Sequence, residues 1–258
     1  MTQSISPSHD DATADQYGQR ANAYVSSAVH AAGADLDQIE ALARSQSPER
    51  ALDLGCGGGH VAYRLAECAQ AVVAVDLAKG MLSAVAAEAA TRGLGNLTVQ
   101  RAGAEALPMT DASVDFLASR YSAHHWRDAA AGLAEARRVL VPGGVAVFAD
   151  VVAPEAALLD SHLQTVELLR DGTHVRDYSV PEWVAMLGRA RFAVRGVTRR
   201  RLRLDFATWI ARTHTPEVLV QAIRAMQQAA PQEVQAAFAI EADGSFTVDT
   251  VTLEAVAV

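Results

Sequence analysis

The chain has 258 residues, half of them hydrophobic, which is enough for one sizeable core with or without an appended subdomain. Acidic residues outnumber basic ones 30 to 22, for a net charge of -8, whereas proteins that hold nucleic acid through its phosphates usually show the opposite balance. The polar, acidic start of the chain, its two cysteines and the lack of any apolar run near the roughly 20 residues of a membrane span predict a cytoplasmic protein without export signal or membrane span.

Five short apolar segments alternate with helical segments over the first 150 residues. The predicted strands cover 51–54, 71–75, 97–101, 114–119 and 144–150. A helix is predicted across 128–140, followed by a turn at VPGG. Strands and helices that alternate at this spacing indicate a mostly parallel sheet with both faces covered. The fold class is therefore doubly wound α/β.

The pattern changes after residue 150. Pro154 can open a helix that runs to about 170, and the polar stretch DGTHVRDYS then separates it from a second helix at PEWVAMLGRA. A strand at 192–204, a helical region at about 206–240 and a last strand at SFTVDTVTLEAV follow. This arrangement is not that of a second nucleotide-binding half.

Residues 52–60, LDLGCGGGH, crowd four glycines behind the first strand. In a doubly wound sheet, ligands bind beyond the carboxyl ends of the strands, where the first strand-to-helix turn presents backbone amides. Glycines let that turn bend sharply and approach a ligand without β-carbons in the way. Asp76 ends the second strand, 21 positions after Gly55, and is placed to accept hydrogen bonds from ribose hydroxyls. The pattern predicts a ligand that contains a nucleoside.

The glycine segment departs from the dinucleotide fingerprint GxGxxG, because His60 stands at the position of the third glycine. Asp53 would repel a pyrophosphate but would favour an ammonium or sulfonium group. An NAD(P)-dependent oxidoreductase is one alternative, although no Tyr-x-x-x-Lys pair is present. A non-catalytic module that binds S-adenosylmethionine as a sensor is another.

Five segments carry a family resemblance: ALDLGCGGGHVA, VVAVDLAKGML, AGAEALPMTDASVDF, SAHHW and AEARRVLVPGGVAVFADV. In order and spacing they resemble the class I S-adenosylmethionine-dependent methyltransferases, in particular the ubiquinone/menaquinone-biosynthesis-like (type 11) group. The resemblance covers about 51–152. It implies a Rossmann-like methyltransferase fold: a seven-stranded, mostly parallel sheet with an antiparallel last strand and a helical insertion after the fifth strand. It also implies S-adenosylmethionine as cofactor and S-adenosylhomocysteine as product.

The same resemblance implies a set of cofactor-binding residues. The turn with Asp53 would face the methionine part, Asp76 the ribose, and the remaining residues the adenine and the transferable methyl. These are Asp53, Gly55, Cys56, Gly57, Asp76, Leu77, Met81, Ala104, Glu105, Arg120 and Tyr121. An N-terminal helical segment, 1–45, would close over the cofactor, with lid candidates Tyr17, Arg20 and Tyr24. The rest, 46–258, would be one methyltransferase domain with insertions at about 154–178 and 206–240.

Two residues at strand ends, His125 and Asp150, are candidates for a general base. A base is optional, because the sulfonium is already a good electrophile and positioning supplies most of the catalysis. Substrate-contact candidates are His124, Arg170, His174, Arg176 and Tyr178. The last four could equally belong to a solvated loop, and the run His-His-Trp at 124–126 could instead cap the next helix. The run HHWRD does not supply convergent ligands, so no metal site is predicted.

The methyl acceptor is expected to be a small molecule, methylated on carbon, nitrogen or oxygen. The chain has no PP pair, which excludes the (D/N)PP(Y/F/W) loop that handles exocyclic amines. Neither cysteine follows a proline, which excludes the Pro-Cys nucleophile of pyrimidine C5 enzymes. We expect no nucleic-acid partner, and a monomer or a homodimer.

Overall fold

The computed structural model describes residues 6–18 and 32–258. Its strands are β1 Arg50–Leu54, β2 Ala71–Asp76, β3 Leu97–Arg101, β4 Val114–Arg120, β5 Leu140–Val152, β6 Phe192–Leu204 and β7 Phe246–Ala257. Its helices are α1 His9–Gly18, α2 Ala34–Gln46, α3 His60–Ala66, α4 Lys79–Thr91, α5 Ala129–Val139, α6 Ala157–Arg170, α7 Val180–Arg189, α8 Phe206–Thr213, α9 Glu217–Ala229 and α10 Gln232–Ala237. No helix among the described residues is long and apolar enough to cross a membrane.

The seven strands form one sheet in the order β3-β2-β1-β4-β5-β7-β6. The first five pair in parallel, and β7 lies antiparallel between β5 and β6. This confirms the predicted fold class, including the antiparallel last strand. Strand order reverses between β1 and β4, and a crevice for a ligand forms at the carboxyl edge of a sheet at such a point.

Alternate residues of the central strands belong to two separate cores, one on each face of the sheet. Leu52 and Val73 pack with the side chains of α5 and α7. Ala51 and Val72, their neighbours in sequence, pack with those of α2, α3 and α4. Side chains of a strand point to opposite faces in turn, so strands buried on both faces are apolar throughout. That is why these strands read as continuous apolar runs.

The segment VPGG does not form the predicted turn. It lies inside β5, where Val114 pairs with Leu140 but Phe116 pairs with Val145. The extra residues are taken up as an irregularity in the pairing, and Gly143 adopts a φ of 79° there, a conformation that glycine tolerates best. The strand therefore begins earlier than the sequence indicated.

A third core covers the carboxyl edge of the sheet beyond β5. The predicted helical region at about 206–240 is three helices, because Pro216 and Pro231 each stand at the start of a new helix. Apolar side chains of α6, α8, α9 and α10 pack there with the beginning of β7, among them Leu163, Trp209 and Phe246. This helical layer supplies one wall of a cavity at that edge of the sheet.

The polar segment 171–179, DGTHVRDYS, is largely buried rather than solvated. Asp171 and Asp177 are 1% and 2% exposed. The carbonyl oxygen of His124 accepts hydrogen bonds from the N–H groups of Val175 and Arg176, at 2.8 and 3.2 Å. The segment therefore docks against the turn that follows β4, because its backbone finds hydrogen-bond partners there.

Candidate active site

A cavity of about 390 Å³ opens at the carboxyl edge of the sheet, where the strand order reverses. Its lining comes from the glycine turn, from the residues that follow β2, β3 and β4, from α1 and the start of α2, and from the helical layer of α6 and α8. The cavity thus joins segments that lie between Asp10 and Arg212 in the chain.

The glycine turn is shaped by close packing on one side and open space on the other. Gly55 adopts a φ of 74°, and an added β-carbon there would lie 1.8 Å from Oγ of Ser122. Gly57 lines the cavity, and a β-carbon at that position would meet no heavy atom within 4 Å. The backbone at Gly57 is therefore open to a ligand, as the sequence pattern indicated.

Asp53 lies beneath the turn and is not among the residues that line the cavity. Its Oδ2 accepts a hydrogen bond of 2.9 Å from the backbone N–H of Ala62, and it is 1% exposed. Burial raises the pKa of Asp53 to about 7. Its visible contact holds the first turn of α3 against β1. Cys56 is likewise buried and outside the lining.

Asp76 lines the cavity at the end of β2. Its two carboxylate oxygens accept hydrogen bonds from the backbone N–H groups of Gly57, at 2.9 Å, and Ala78, at 2.8 Å. Burial raises the pKa of this carboxyl group, and the two backbone bonds oppose that effect. Each oxygen of a carboxylate can accept two hydrogen bonds, so both retain capacity for a ligand hydroxyl.

The remaining cofactor candidates after β2, β3 and β4 also line the cavity: Leu77, Met81, Ala104, Glu105, Arg120 and Tyr121. Nε of Arg120 donates to Oδ2 of Asp35 at 2.6 Å, and the Arg120 guanidinium lies 4.9 Å from the centre of the Tyr121 ring. Asp35 comes from the first turn of α2 and was not a candidate in the sequence. It fixes the arginine side chain at the cavity wall.

Helix α1 contacts segment 171–179 beside the cavity. The Tyr17 hydroxyl donates to Oδ2 of Asp171 at 2.5 Å and lies 2.9 Å from Nε2 of His125. Nε2 of His9 lies 3.1 Å from the carbonyl oxygen of Thr173. These contacts place Tyr17 in the cavity wall. The other two lid candidates, Arg20 and Tyr24, lie outside the described residues.

Both ring nitrogens of His125 have partners. Nδ1 lies 3.0 Å from the carbonyl oxygen of Thr173, and Nε2 faces the Tyr17 hydroxyl. Burial and the neighbouring His124 lower the pKa of His125 to about 4. The low pKa favours a neutral ring, which carries its proton on only one of the two nitrogens.

His124 and Asp150 form a close pair, with Nδ1 of the histidine 2.6 Å from Oδ1 of the aspartate. The same oxygen accepts the N–H of Val151 at 2.9 Å. Burial acts to lower the pKa of His124, but the carboxylate of Asp150 outweighs it and raises that pKa to about 9. His124 lines the cavity, whereas Asp150 lies behind it and is 2% exposed.

Of the five substrate-contact candidates, His124 and Arg170 line the cavity. Arg170 lies 3.5 Å from Glu167 and donates to the carbonyl oxygen of Trp209. The other three candidates anchor segment 171–179 to its surroundings. His174 bonds to Gln164, Arg176 pairs with Asp160 and Glu182, and the Tyr178 ring packs edge-on against Trp183.

Comparison with known proteins gives the chain a family. Residues 52–148 match the family model described as a methyltransferase domain. The uncharacterized protein YafE of Escherichia coli is 44% identical over 201 residues, which cover 78% of this chain and 97% of that protein. The uncharacterized methyltransferase YcgJ of Bacillus subtilis is 34% identical over 200 residues, 78% of this chain and 79% of that protein. The chain belongs to the methyltransferase family.

Two further likenesses agree with this methyltransferase assignment. The crystal structure of YcgJ superposes with a TM-score of 0.83 at 30% identity, covering 86% of this chain and 97% of that chain. A demethylmenaquinone methyltransferase of Deinococcus radiodurans is 36% identical over 121 residues, 46% of this chain and 49% of that protein. The resemblance to the ubiquinone/menaquinone-biosynthesis-like group is thereby confirmed, and the protein is an enzyme of the methyltransferase class.

Several lining residues of this methyltransferase carried no usable signal in the sequence. Glu167 and Trp209 stand in predicted helices, where nothing distinguishes a residue that faces a cavity from one that faces solvent. Asp177 lies in a polar segment whose burial the sequence did not indicate. In the structure, one side-chain nitrogen of His124 and one carboxylate oxygen each of Asp150 and Asp177 all lie within 4.8 Å of one another. Only the fold brings these three together.

Proposed function

We propose that this methyltransferase binds S-adenosylmethionine in the cavity and transfers its methyl group to a small molecule. The observation that carries the proposal is the open backbone of Gly57 directly beside Asp76, whose carboxylate holds the turn and keeps capacity for further hydrogen bonds. The turn would face the methionine part of the cofactor and Asp76 the ribose. Leu77 and Met81 would flank the adenine, and Glu105 would accept from its amino group.

A small-molecule acceptor suits the size of the cavity and the net charge of the chain. The cavity volume lies in the range of small-molecule pockets, and residues of α1 form part of its wall. His124, Glu167, Arg170 and Trp209 line the part near the helical layer, where we place the acceptor. A net charge of -8 also speaks against a nucleic acid as acceptor.

Positioning is the catalytic contribution that these residues can make. S-adenosylmethionine, when bound there, would supply an activated methyl group for in-line transfer to the acceptor, with S-adenosylhomocysteine as the leaving product. Holding the two reactants at that distance and angle removes much of the entropic cost of the reaction. The pair of Arg120 and Asp35 keeps one wall rigid, and Tyr17 keeps α1 against another.

The general base assigned to His125 or Asp150 from the sequence stays a prediction. Both nitrogens of His125 are engaged, and His124 lies between the Asp150 carboxylate and the cavity. The proposed function therefore rests on positioning and includes no proton transfer to either residue.

The experiment that tests the proposal is a screen for S-adenosylhomocysteine formation. The protein is incubated with S-adenosylmethionine and, in turn, with small phenols, carboxylic acids, amines and quinols, with total RNA and a protein extract as polymer controls. We expect S-adenosylhomocysteine to form only when one class of small acceptor is present. Binding of S-adenosylmethionine without any turnover would favour a non-catalytic binding module, and methylation of RNA or protein alone would contradict the small-molecule acceptor.

A further inference from the structure

We propose that His124, Asp150 and Asp177 bind a divalent transition-metal ion beside the acceptor part of the cavity. One ring nitrogen and one oxygen from each carboxylate lie within 4.8 Å of one another. The three residues come from the turn after β4, the end of β5 and segment 171–179. One imidazole nitrogen with two carboxylate oxygens is a donor set that suits Mn²⁺ or Zn²⁺, whereas Mg²⁺ prefers oxygen ligands throughout.

Asp177 is the residue that points to an ion. Its side chain is 2% exposed, and its Oδ2 has no hydrogen-bond partner in the described part of the chain. Nε2 of His174 lies 4.0 Å away, beyond hydrogen-bond distance, and bonds to Gln164 instead. A buried carboxylate oxygen without a partner is costly and rare in native structures. Asp177 is also among the residues that line the cavity, so the cluster adjoins the space from which a cation would enter.

His124 and Asp150 are arranged so that an ion could take the place of a proton. Nδ1 of His124 and Oδ1 of Asp150 lie 2.6 Å apart, and a proton on the nitrogen bridges them. An ion that binds both atoms would displace that proton, as metal binding to histidine generally does. With a neutral imidazole, the two carboxylates give the cluster a charge of about -2, which a divalent ion neutralises.

Surrounding groups hold the backbone of the ligand residues in place. Gln164 of α6 donates to the carbonyl oxygen of Asp177 at 2.7 Å and accepts from its N–H at 3.1 Å. The carbonyl of His124 is fixed by segment 171–179, and the Asp150 carboxylate by the N–H of Val151. Contacts of this kind around the ligands orient metal sites and strengthen their affinity.

Three protein ligands on an ion at a cavity leave a coordination position open, as in catalytic zinc sites. An acceptor that carries a hydroxyl, carboxylate or carbonyl oxygen could occupy that position and be held for methyl transfer. This role rests on the proposed function, whereas binding of the ion does not.

The test is a pair of titrations of EDTA-treated, buffer-exchanged protein. Binding of MnCl₂ is measured by electron paramagnetic resonance, and binding of ZnCl₂ is measured by calorimetry. One ion per chain is expected. Asp177→Asn should weaken binding about 10-fold or more, since even losing a residue outside the ligand shell costs that much. Asp171→Asn is the matched control: this aspartate is equally buried in the same segment, but its oxygens bind Tyr17 and Thr173. The affinity of Asp171→Asn for the ion should stay within about twofold of that of the parent.

The proposal is overturned if the parent binds neither ion, if Asp177→Asn binds as tightly as the parent, or if Asp171→Asn is weakened to the same degree. If Asp177→Asn shows no cooperative thermal unfolding, His124→Gln replaces it in the titration, and the same loss of ion affinity is expected. S-adenosylmethionine titrated into the parent in EDTA separates the two proposals. If the cofactor does not bind while the ion does, the proposed function fails and the ion site stands.

Discussion

Asp76 has a structural role and, in the proposed function, a binding role at the same carboxylate. It fixes the glycine turn through Gly57 and, in the proposed function, accepts from the ribose hydroxyls. Hydrogen bonds to a charged group contribute about 1.5–3 kcal/mol. We therefore expect Asp76→Ala to weaken S-adenosylmethionine binding by about tenfold or more in a calorimetric titration. Asp249→Ala is the control. It removes a half-exposed carboxylate of β7 that does not line the cavity, and it should leave the affinity for S-adenosylmethionine unchanged. A folded Asp76→Ala with parental affinity would disprove the ribose contact.

Asp53 should make the stability of the protein depend on pH. Burial raises its pKa from 3.8 to about 7, so the folded state favours the protonated form. The stabilisation from this group is full below pH 3.8 and is lost as the pH rises to about 7, a difference of about 4 kcal/mol at most.

Asp53→Asn removes this titration and leaves an oxygen to accept the N–H of Ala62. In urea unfolding at pH 4, 6 and 8, the free energy of unfolding of the variant should rise relative to the parent as the pH increases. A difference that stays constant over this range would show that Asp53 titrates normally in the folded protein.

At the scale of elements, α1 depends on a close approach to α4. A β-carbon added at Gly80 would lie 2.3 Å from the carbonyl oxygen of Gly18, so Gly80→Ala must displace α1. Because α1 carries Tyr17 into the cavity wall, we expect faster hydrogen exchange across 9–18 and weaker S-adenosylmethionine binding. Gly188→Ala in α7 is the control, since its β-carbon meets nothing within 4 Å. Unchanged exchange in Gly80→Ala would mean that α1 does not rely on this contact.

The helices and strands were largely predictable, because the spacing of apolar residues and the positions of glycine and proline indicate them from the local sequence. All seven strands were anticipated. The errors arose where pairing or burial overrode the local signal. VPGG reads as a turn but is absorbed as an irregularity within β5, since β4 continues to pair on both sides of it. From its sequence, segment 171–179 could equally have been a solvated loop or a substrate-contact segment, but it is largely buried, because its polar groups find partners on α1, α6 and the turn after β4.

At the scale of the whole molecule, the cavity draws on residues that lie far apart in the chain. The glycine turn and Asp76 were predictable, because a strand followed by glycines and a second strand that ends in an acid form a local pattern. Asp35 and Asp177 were not, since their places depend on how α2 and segment 171–179 pack against the sheet. Sequence motifs thus located the proposed cofactor side of the cavity, and tertiary packing revealed the side assigned to the acceptor.

The most direct test of the central claim is a calorimetric titration of the purified protein with S-adenosylmethionine, with NAD⁺ titrated in parallel. We predict that S-adenosylmethionine saturates one site per chain and that NAD⁺ produces no binding heat, because the turn before His60 lacks the third glycine of a dinucleotide site and Asp53 lies beneath it. Saturable binding of NAD⁺ together with no binding of S-adenosylmethionine would contradict the account.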